Sequence, residues 1–155
     1  MWKDIVVRPA EQNDYQAWRP LWDGYNAFYG RSGETALSEE ITRQTWARFH
    51  DDAEPVNALV AEHQGRIIGL VHTVIHRSTT RLADVCYLQD LFTVPEARGQ
   101  GVARALIKAV YQQATARQCN RVYWQTHETN QTARALYDKV AENKGFIIYG
   151  LELPA

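Results

Sequence analysis

The apolar positions of this chain switch between helical and strand periods, and the switches divide it into elements. Ile5-Val6-Val7-Arg8 before Pro9 reads as a short opening strand. Trp18, Leu21, Trp22, Tyr25 and Phe28 then recur at helical spacing, with Asn13 or Asp14 available as the N-cap. Residues 30–33 break that helix. Ser38-Glu39-Glu40-Ile41 opens a second one, with Ile41, Thr45 and Phe49 along one side and acids in the first turn, where the helix dipole favours them. The period then changes to strands. Residues 57–62 and 66–76 flank His63-Gln64-Gly65, a hairpin turn, and residues 85–94 form a third long strand that Pro95 ends. Residues 101–118 return to a helix, with Val102, Leu106, Val110 and Ala114 spaced by four. Residues 121–126 read as a strand. Asn130 caps a further helix carrying Ala133, Leu136, Tyr137 and Val140, Gly145 stands where its stop is expected, and residues 146–153 form a final strand. The order β-α-α-β-β-β-α-β-α-β places hairpins first and strand–helix–strand crossovers later. It predicts an α/β chain with a mixed sheet and helices on both faces.

Composition narrows the class. The 155 residues suggest a single domain over 1–155, long enough for a core without disulfide or metal staples. With 45% hydrophobic and 23% charged residues the chain is neither disordered nor fibrous. Lys plus Arg is 17 against 18 for Asp plus Glu, and that balance argues against a nucleic-acid partner. No apolar run approaches the ~18 residues of a membrane span. The first ten residues hold Lys3, Asp4 and Arg8 without the apolar stretch of a signal peptide. Cys86 and Cys119 form no Cys-x-x-Cys pair, so they read as small core residues in a reduced, cytoplasmic setting. His72 and His76, four apart on a strand, would stand ~13 Å from each other, too far to share a metal.

The chemistry concentrates where the third long strand ends. Val94-Pro95-Glu96-Ala97-Arg98-Gly99-Gln100-Gly101-Val102-Ala103-Arg104 takes the chain from strand to helix through a glycine-bearing turn. Such a turn aims backbone N–H groups at one point, with the positive end of the helix dipole behind them, and glycine lets a phosphate approach closely. Residues 97–127 hold five basic side chains (Arg98, Arg104, Lys108, Arg117, Arg121) and no acid. The turn does not fit two familiar nucleotide motifs. A P-loop needs Gly-Lys-Ser/Thr, and here Val102-Ala103 follows Gly101. A dinucleotide fold needs a third glycine where Arg104 stands, and an acid near residue 120, where Asn120 and Arg121 stand.

Arg98-x-x-Gly101-x-Ala103 resembles the pyrophosphate-binding motif of the GNAT superfamily of acetyl-CoA-dependent N-acetyltransferases. The preceding Tyr87-Leu88-Gln89-Asp90-Leu91-Phe92-Thr93 is similar to that family's strand before the loop. Asn130-x-x-Ala133-x-x-Leu136-Tyr137 followed by Gly145-Phe146 resembles its later signature. Gln89-Asp90-Leu91-Phe92 and His127-Glu128-Thr129-Asn130 look most like the histone/polyamine branch, including the spermidine/spermine N-acetyltransferases.

The resemblance implies a mostly antiparallel central sheet and acetyl-CoA as acetyl donor, with no metal. The backbone of Leu91, Phe92 and Thr93 would pair with the pantetheine arm. Arg98, Gly99, Gln100, Gly101, Val102, Ala103 and Arg104 would hold the pyrophosphate. Asn130 matches a pantetheine-bonding position, although a helix N-cap is equally good chemistry for it. Lys139 would either reach the adenosine phosphates or sit in solvent. Tyr137 matches the tyrosine that protonates the departing CoA thiolate, although its spacing also suits a core tyrosine; a phenol can donate a proton while neutral at pH 7.

The acceptor amine needs the opposite help, because an alkyl ammonium is only on the order of 0.1% neutral at pH 7. The polyamine enzymes carry a glutamate where this chain has Gln89, which cannot act as a base. Asp90 is the neighbouring candidate, but strand alternation turns it to the other face unless a bulge intervenes. Glu128, His127 and a water chain stay open.

The acceptor site should be built by the first two helices, where Trp22, Tyr25, Phe28 and Tyr29 are either core or a cation-binding wall. Tyr25, Tyr29, Gln89 and Glu128 are the candidate acceptor contacts. Residues 34–62 carry seven acids and two arginines, which would draw in a cation. The expected acceptor is a small primary amine such as a polyamine, an amino acid or a related metabolite. A protein lysine or N-terminus, and a CoA-binding module without catalysis, are the alternatives. The apolar final strand would leave a sheet edge that invites a homodimer.

Overall fold

A computed structural model describes residues 1–155, in two compact units, Met1–Trp124 and Gln125–Ala155. In the first unit the elements run β1 (Ile5–Pro9), α1 (Tyr15–Phe28), α2 (Glu39–Phe49), β2 (Val56–His63), β3 (Arg66–His76), β4 (Val85–Thr93), α3 (Val102–Ala116) and β5 (Val122–Tyr123). The sheet order is β1-β2-β3-β4-β5. Every pairing is antiparallel except β4 with β5, so the sheet is mixed and mostly antiparallel, as expected. The β2–β3 hairpin closes on Gln64 and Gly65, both at positive φ, the conformation that matches the strands' own twist.

Helices cover both faces of the sheet. A Cβ built on Gly69 of β3 would meet Val102 and Leu106 of α3, whereas His72, three residues on, reaches Trp18 of α1. An odd separation along a strand points side chains to opposite faces. The α1–α2 layer is aromatic: Trp18 lies 5.6 Å from Trp22 and 4.7 Å from Trp46, and Trp22 lies 5.8 Å from Tyr25, ring centre to ring centre. α1 runs through Pro20, which costs about 3 kcal/mol inside a helix. Burying Trp18, Leu21, Trp22 and Tyr25 offsets this, at about 2–3 kcal/mol for each large side chain.

Several expectations need correction. α2 buries Thr42 and Trp46, while Ile41 is exposed; the buried stripe lies one position round the helix because the Trp18 and Trp22 rings face it. The strand expected over 121–126 is reduced to Val122–Tyr123, since β5 has β4 on one side and no further neighbour.

The second unit holds α4 (Gln131–Val140), begun by the Asn130 side chain, which accepts from the Ala133 N–H at 3.4 Å. α4 stops at Val140, not at Gly145. Residues 146–153 form no strand, because they have no strand to pair with. Their side chains Phe146, Ile147, Ile148, Tyr149, Leu151 and Leu153 stand between 65% and 88% exposed.

Candidate active site

β4 does two things that the sequence pattern left open. The register with β3 shifts between His72 and Thr73: Asp90 lies opposite His72 and Leu88 opposite Thr73, so Gln89 is the extra residue of a β-bulge. The bulge turns the Asp90 side chain onto the α1 face. There the Asp90 carboxylate, 8% exposed, takes the Nδ1–H of His72 on Oδ2 at 2.8 Å. His72 Nε2 accepts the indole N–H of Trp18 at 3.1 Å. An indole only donates, so the proton of this neutral imidazole belongs on Nδ1, facing Asp90. The side chain that would move the acceptor's proton is thus held by a Trp18–His72–Asp90 chain of hydrogen bonds.

Tyr25 completes the surroundings of Asp90. Its hydroxyl reaches the Gln89 carbonyl at 3.5 Å. Burial first, and then the negative charge of Asp90, hold its phenol far above the ordinary range, so it stays a neutral donor. Tyr87 is also raised, by burial first and then by Tyr123, Asp90 and Tyr29. Tyr25 and Tyr87 therefore flank a carboxylate with no cation paired to it, and Tyr29 packs on Tyr25 with ring centres 5.0 Å apart. This is a setting for an ammonium group.

The second feature is an open edge. β5 pairs with β4 only at Cys86 and Tyr87, so residues 88–93, including Leu91, Phe92 and Thr93, have no strand neighbour on that side. An extended ligand carrying amides can add to such an edge as a strand. Arg98 leans back over this segment, its Nε donating to the Thr93 carbonyl at 3.2 Å and its guanidinium 5.6 Å from the Phe92 ring centre.

The turn follows. Gly99 and Gly101 adopt φ of +76° and +89°, which an L side chain resists. Gly101 is the N-cap of α3 and has no side chain with which to satisfy the first-turn N–H groups. Arg98 and Arg104 are exposed, Gln100 and Ala103 half-buried. Val102 contributes only its backbone here, because its side chain is buried against β3. Free N–H groups at a helix start, positive φ at two glycines and flanking arginines suit a diphosphate. The open edge suits the amides of a pantetheine arm, so these residues fit CoA.

The remaining candidates lie in the second unit or outside the chemistry. Asn130 caps α4, Tyr137 is half-buried on that helix, and Glu128 is exposed, its backbone carbonyl accepting from Arg134 at 2.8 Å. Cys86 is buried and its thiol is pushed up to about 11 by that burial, so it is protonated and inert at neutral pH. No group of three or more His, Cys, Asp or Glu is arranged to hold a metal ion. No helix is long and apolar enough to cross a membrane. The candidate site residue that sequence reasoning missed is His72. Its signal was present: one histidine directly after the apolar run Ile67-Ile68-Gly69-Leu70-Val71, where a buried polar group needs partners.

The chain has counterparts among known proteins. The family model described as Acetyltransferase (GNAT) family matches residues 18–141. A D-amino-acid N-acetyltransferase of Saccharomyces cerevisiae is 34% identical over 147 residues, covering 94% of this chain and 89% of its own length. An uncharacterized N-acetyltransferase of Bacillus subtilis is 30% identical over 151 residues, 96% of this chain and 98% of its own. Among solved structures, AAC(6')-Iy in complex with a CoA-containing bisubstrate analog superposes with a TM-score of 0.81 at 18% identity, covering 98% of this chain and all of that one. That likeness concerns the fold.

Proposed function

The chain belongs to the acetyltransferase (GNAT) family, whose acetyl donor is acetyl-CoA, and on that premise we propose that it acetylates the primary amine of a small molecule. The observation that carries the reading is the bulge at Gln89, which aims the Asp90 carboxylate into a tyrosine-walled setting on the same strand whose open edge suits the pantetheine arm. Acetyl-CoA, when bound, supplies an acyl carbon activated as a thioester. Backbone groups of Leu91, Phe92 and Thr93 align the arm. Arg98, Gly99, Gln100, Gly101, Val102, Ala103 and Arg104 hold the diphosphate, and Asn130 assists the arm. Asp90 takes the proton that the acceptor ammonium must lose before its nitrogen can attack. Tyr137 gives the departing sulfur a proton. Tyr25, Tyr29 and Gln89 contact the acceptor, and Glu128 is a further acceptor candidate. The acceptor is a polyamine, an amino acid or a related metabolite, and the likeness to the yeast D-amino-acid N-acetyltransferase adds weight to amino acids.

A second copy of the chain covers residues 146–153. Six large apolar side chains exposed within eight residues support a strand that finds its neighbour in a homodimer. Light scattering at micromolar concentration is expected to give twice 17.8 kDa, and a single species of 17.8 kDa would overturn the dimer.

Thiol release from acetyl-CoA, measured against polyamines, D- and L-amino acids, aminoglycosides and histone-tail peptides, tests the activity. Small amines are expected to turn over. Asp90→Asn should lower kcat by ~10²–10⁴-fold with acetyl-CoA affinity retained. Turnover of peptides alone would replace the small-molecule acceptor with protein lysine.

A further inference from the structure

One cation of the acceptor layer has no charge partner. Arg31 follows α1 at a closed helix end: Gly30, at φ +79°, donates its N–H to the Ala27 carbonyl, and the Arg31 N–H bonds the Asn26 carbonyl at 2.8 Å. These two bonds are the Schellman arrangement, and they hold the Arg31 backbone in one place. The side chain is held as well. Arg31 Nε donates to Asn26 Oδ1 at 2.7 Å, and Asn26, itself buried, is locked by its own Nδ2–H to the Trp22 carbonyl at 2.9 Å. The guanidinium then lies 5.9 Å from the Tyr25 ring centre and 5.6 Å from that of Tyr29. Nε is used up in this way, whereas the terminal Nη1 and Nη2 groups bond nothing and no carboxylate of the chain pairs with Arg31. Arg8, Arg19, Arg66 and Arg77, by contrast, all hold acids.

A guanidinium anchored through Nε, backed by aromatic rings and presenting a free two-nitrogen fork, is the geometry that reads a carboxylate by two parallel hydrogen bonds. Arg31 and Asp90 share Tyr25: the guanidinium stands by its ring, and the hydroxyl of that ring meets Gln89 and Asp90. The two unpaired charges of this layer, one negative and one positive, thus flank the same side chain. A polyamine would place a second cation toward Arg31 and be repelled. A molecule with an ammonium and a carboxylate on one carbon, an α-amino acid, offers a group to each.

We propose that Arg31 is the carboxylate anchor of the acceptor site and that the acceptor is therefore an amino acid. The inference rests on the acetyltransferase reading of Asp90 given above. It makes Arg31 a specificity-determining residue, since it touches the acceptor's carboxylate and not the reacting nitrogen. One charge-assisted contact of ~2.8 Å forms at each end of the acceptor.

The test pairs each amino acid with the same molecule lacking its carboxylate: D- and L-alanine with ethylamine, D- and L-phenylalanine with 2-phenylethylamine, and putrescine as the dication. Thiol release is followed for the wild type, Arg31→Met, which keeps an apolar stem over the rings, and Arg31→Lys, which keeps the charge without the fork. The wild type is expected to prefer an amino acid over its carboxylate-free counterpart by ~10–100-fold in kcat/KM, the range of a charge-assisted pair. Arg31→Met should raise the amino-acid KM, bring that ratio toward one and leave the acetyl-CoA KM in place. Arg31→Lys should fall between. A preference that survives in Arg31→Met overturns the inference, as does a wild type that turns over ethylamine, putrescine or an aminoglycoside but no amino acid. In those cases the acetyltransferase reading stands. A protein that binds acetyl-CoA by calorimetry and acetylates no amine overturns both.

Discussion

Gly69→Ala tests how the core sets the candidate diphosphate turn. The added Cβ would stand 2.8 Å from Val102 Cγ1, 3.0 Å from Leu106 Cδ1 and 3.3 Å from the Phe92 carbonyl oxygen. Val102 and Leu106 are 2% and 0% exposed, so neither side chain has open space to move into. Overpacking of this kind costs about 1–3 kcal/mol. Replacing glycine in a strand interior returns about 0.5–1 kcal/mol of backbone entropy. At mid-range, overpacking wins by about 1 kcal/mol. For a chain of this size that is a fall in Tm of roughly 2–4 °C. The least costly relaxation moves the first turn of α3 away from β3, and that turn carries the uncapped N–H groups after Gly101. Acetyl-CoA affinity should therefore weaken several-fold along with stability. Thermal melts and titration calorimetry measure the two effects. A Gly69→Ala protein that melts at or above the wild-type temperature would refute the claim that β3 and α3 meet without slack.

Three further outcomes are expected. Gly101→Glu places a side chain and a negative charge at φ +89°, at an added backbone strain of about 1–3 kcal/mol; it should stay folded, melt a few degrees lower and lose acetyl-CoA binding by calorimetry, whereas unchanged affinity would remove the turn from the site. Tyr137→Phe keeps the ring and removes the donor, so kcat should fall ~10²-fold with acetyl-CoA affinity little changed, and a full-rate variant would leave Tyr137 as a packing residue. Arg8 grips Asp14 at 2.7 and 3.0 Å, and this bond holds the Asp14 carboxyl below its ordinary 3.8. A carboxylate lowered on folding contributes stability that is complete above its unfolded value and fades as pH falls through the folded one. Melts from pH 7 to 3 should therefore show the wild type losing stability below pH ~4, while Asp14→Asn, lower by about 1–3 kcal/mol at pH 7, shows a shallower acid loss; parallel curves would count against it.

Much of this protein was decided by local chemistry that the sequence displays. Period-two runs bounded by Gln64-Gly65 and Pro95 set the hairpin and β4, because alternation and turn residues act over a few neighbours. Arg98-x-x-Gly101-x-Ala103 marked the diphosphate turn, because positive φ at a helix start is what glycine is for. The tertiary structure decided what depends on partners distant in sequence. Whether Asp90 faces α1 turns on a bulge at Gln89, and a bulge is a property of two paired strands, invisible in one. His72 became a site residue only when Trp18, 54 positions earlier, closed on one nitrogen and Asp90, 18 positions later, on the other. Arg31 was one residue of the break after the first helix until the end of α1 set its guanidinium beside Tyr25. Residues 146–153 carry every mark of a strand, yet a strand needs a neighbour to bond; propensity is written in the segment itself, while pairing is a property of whatever chain lies alongside it.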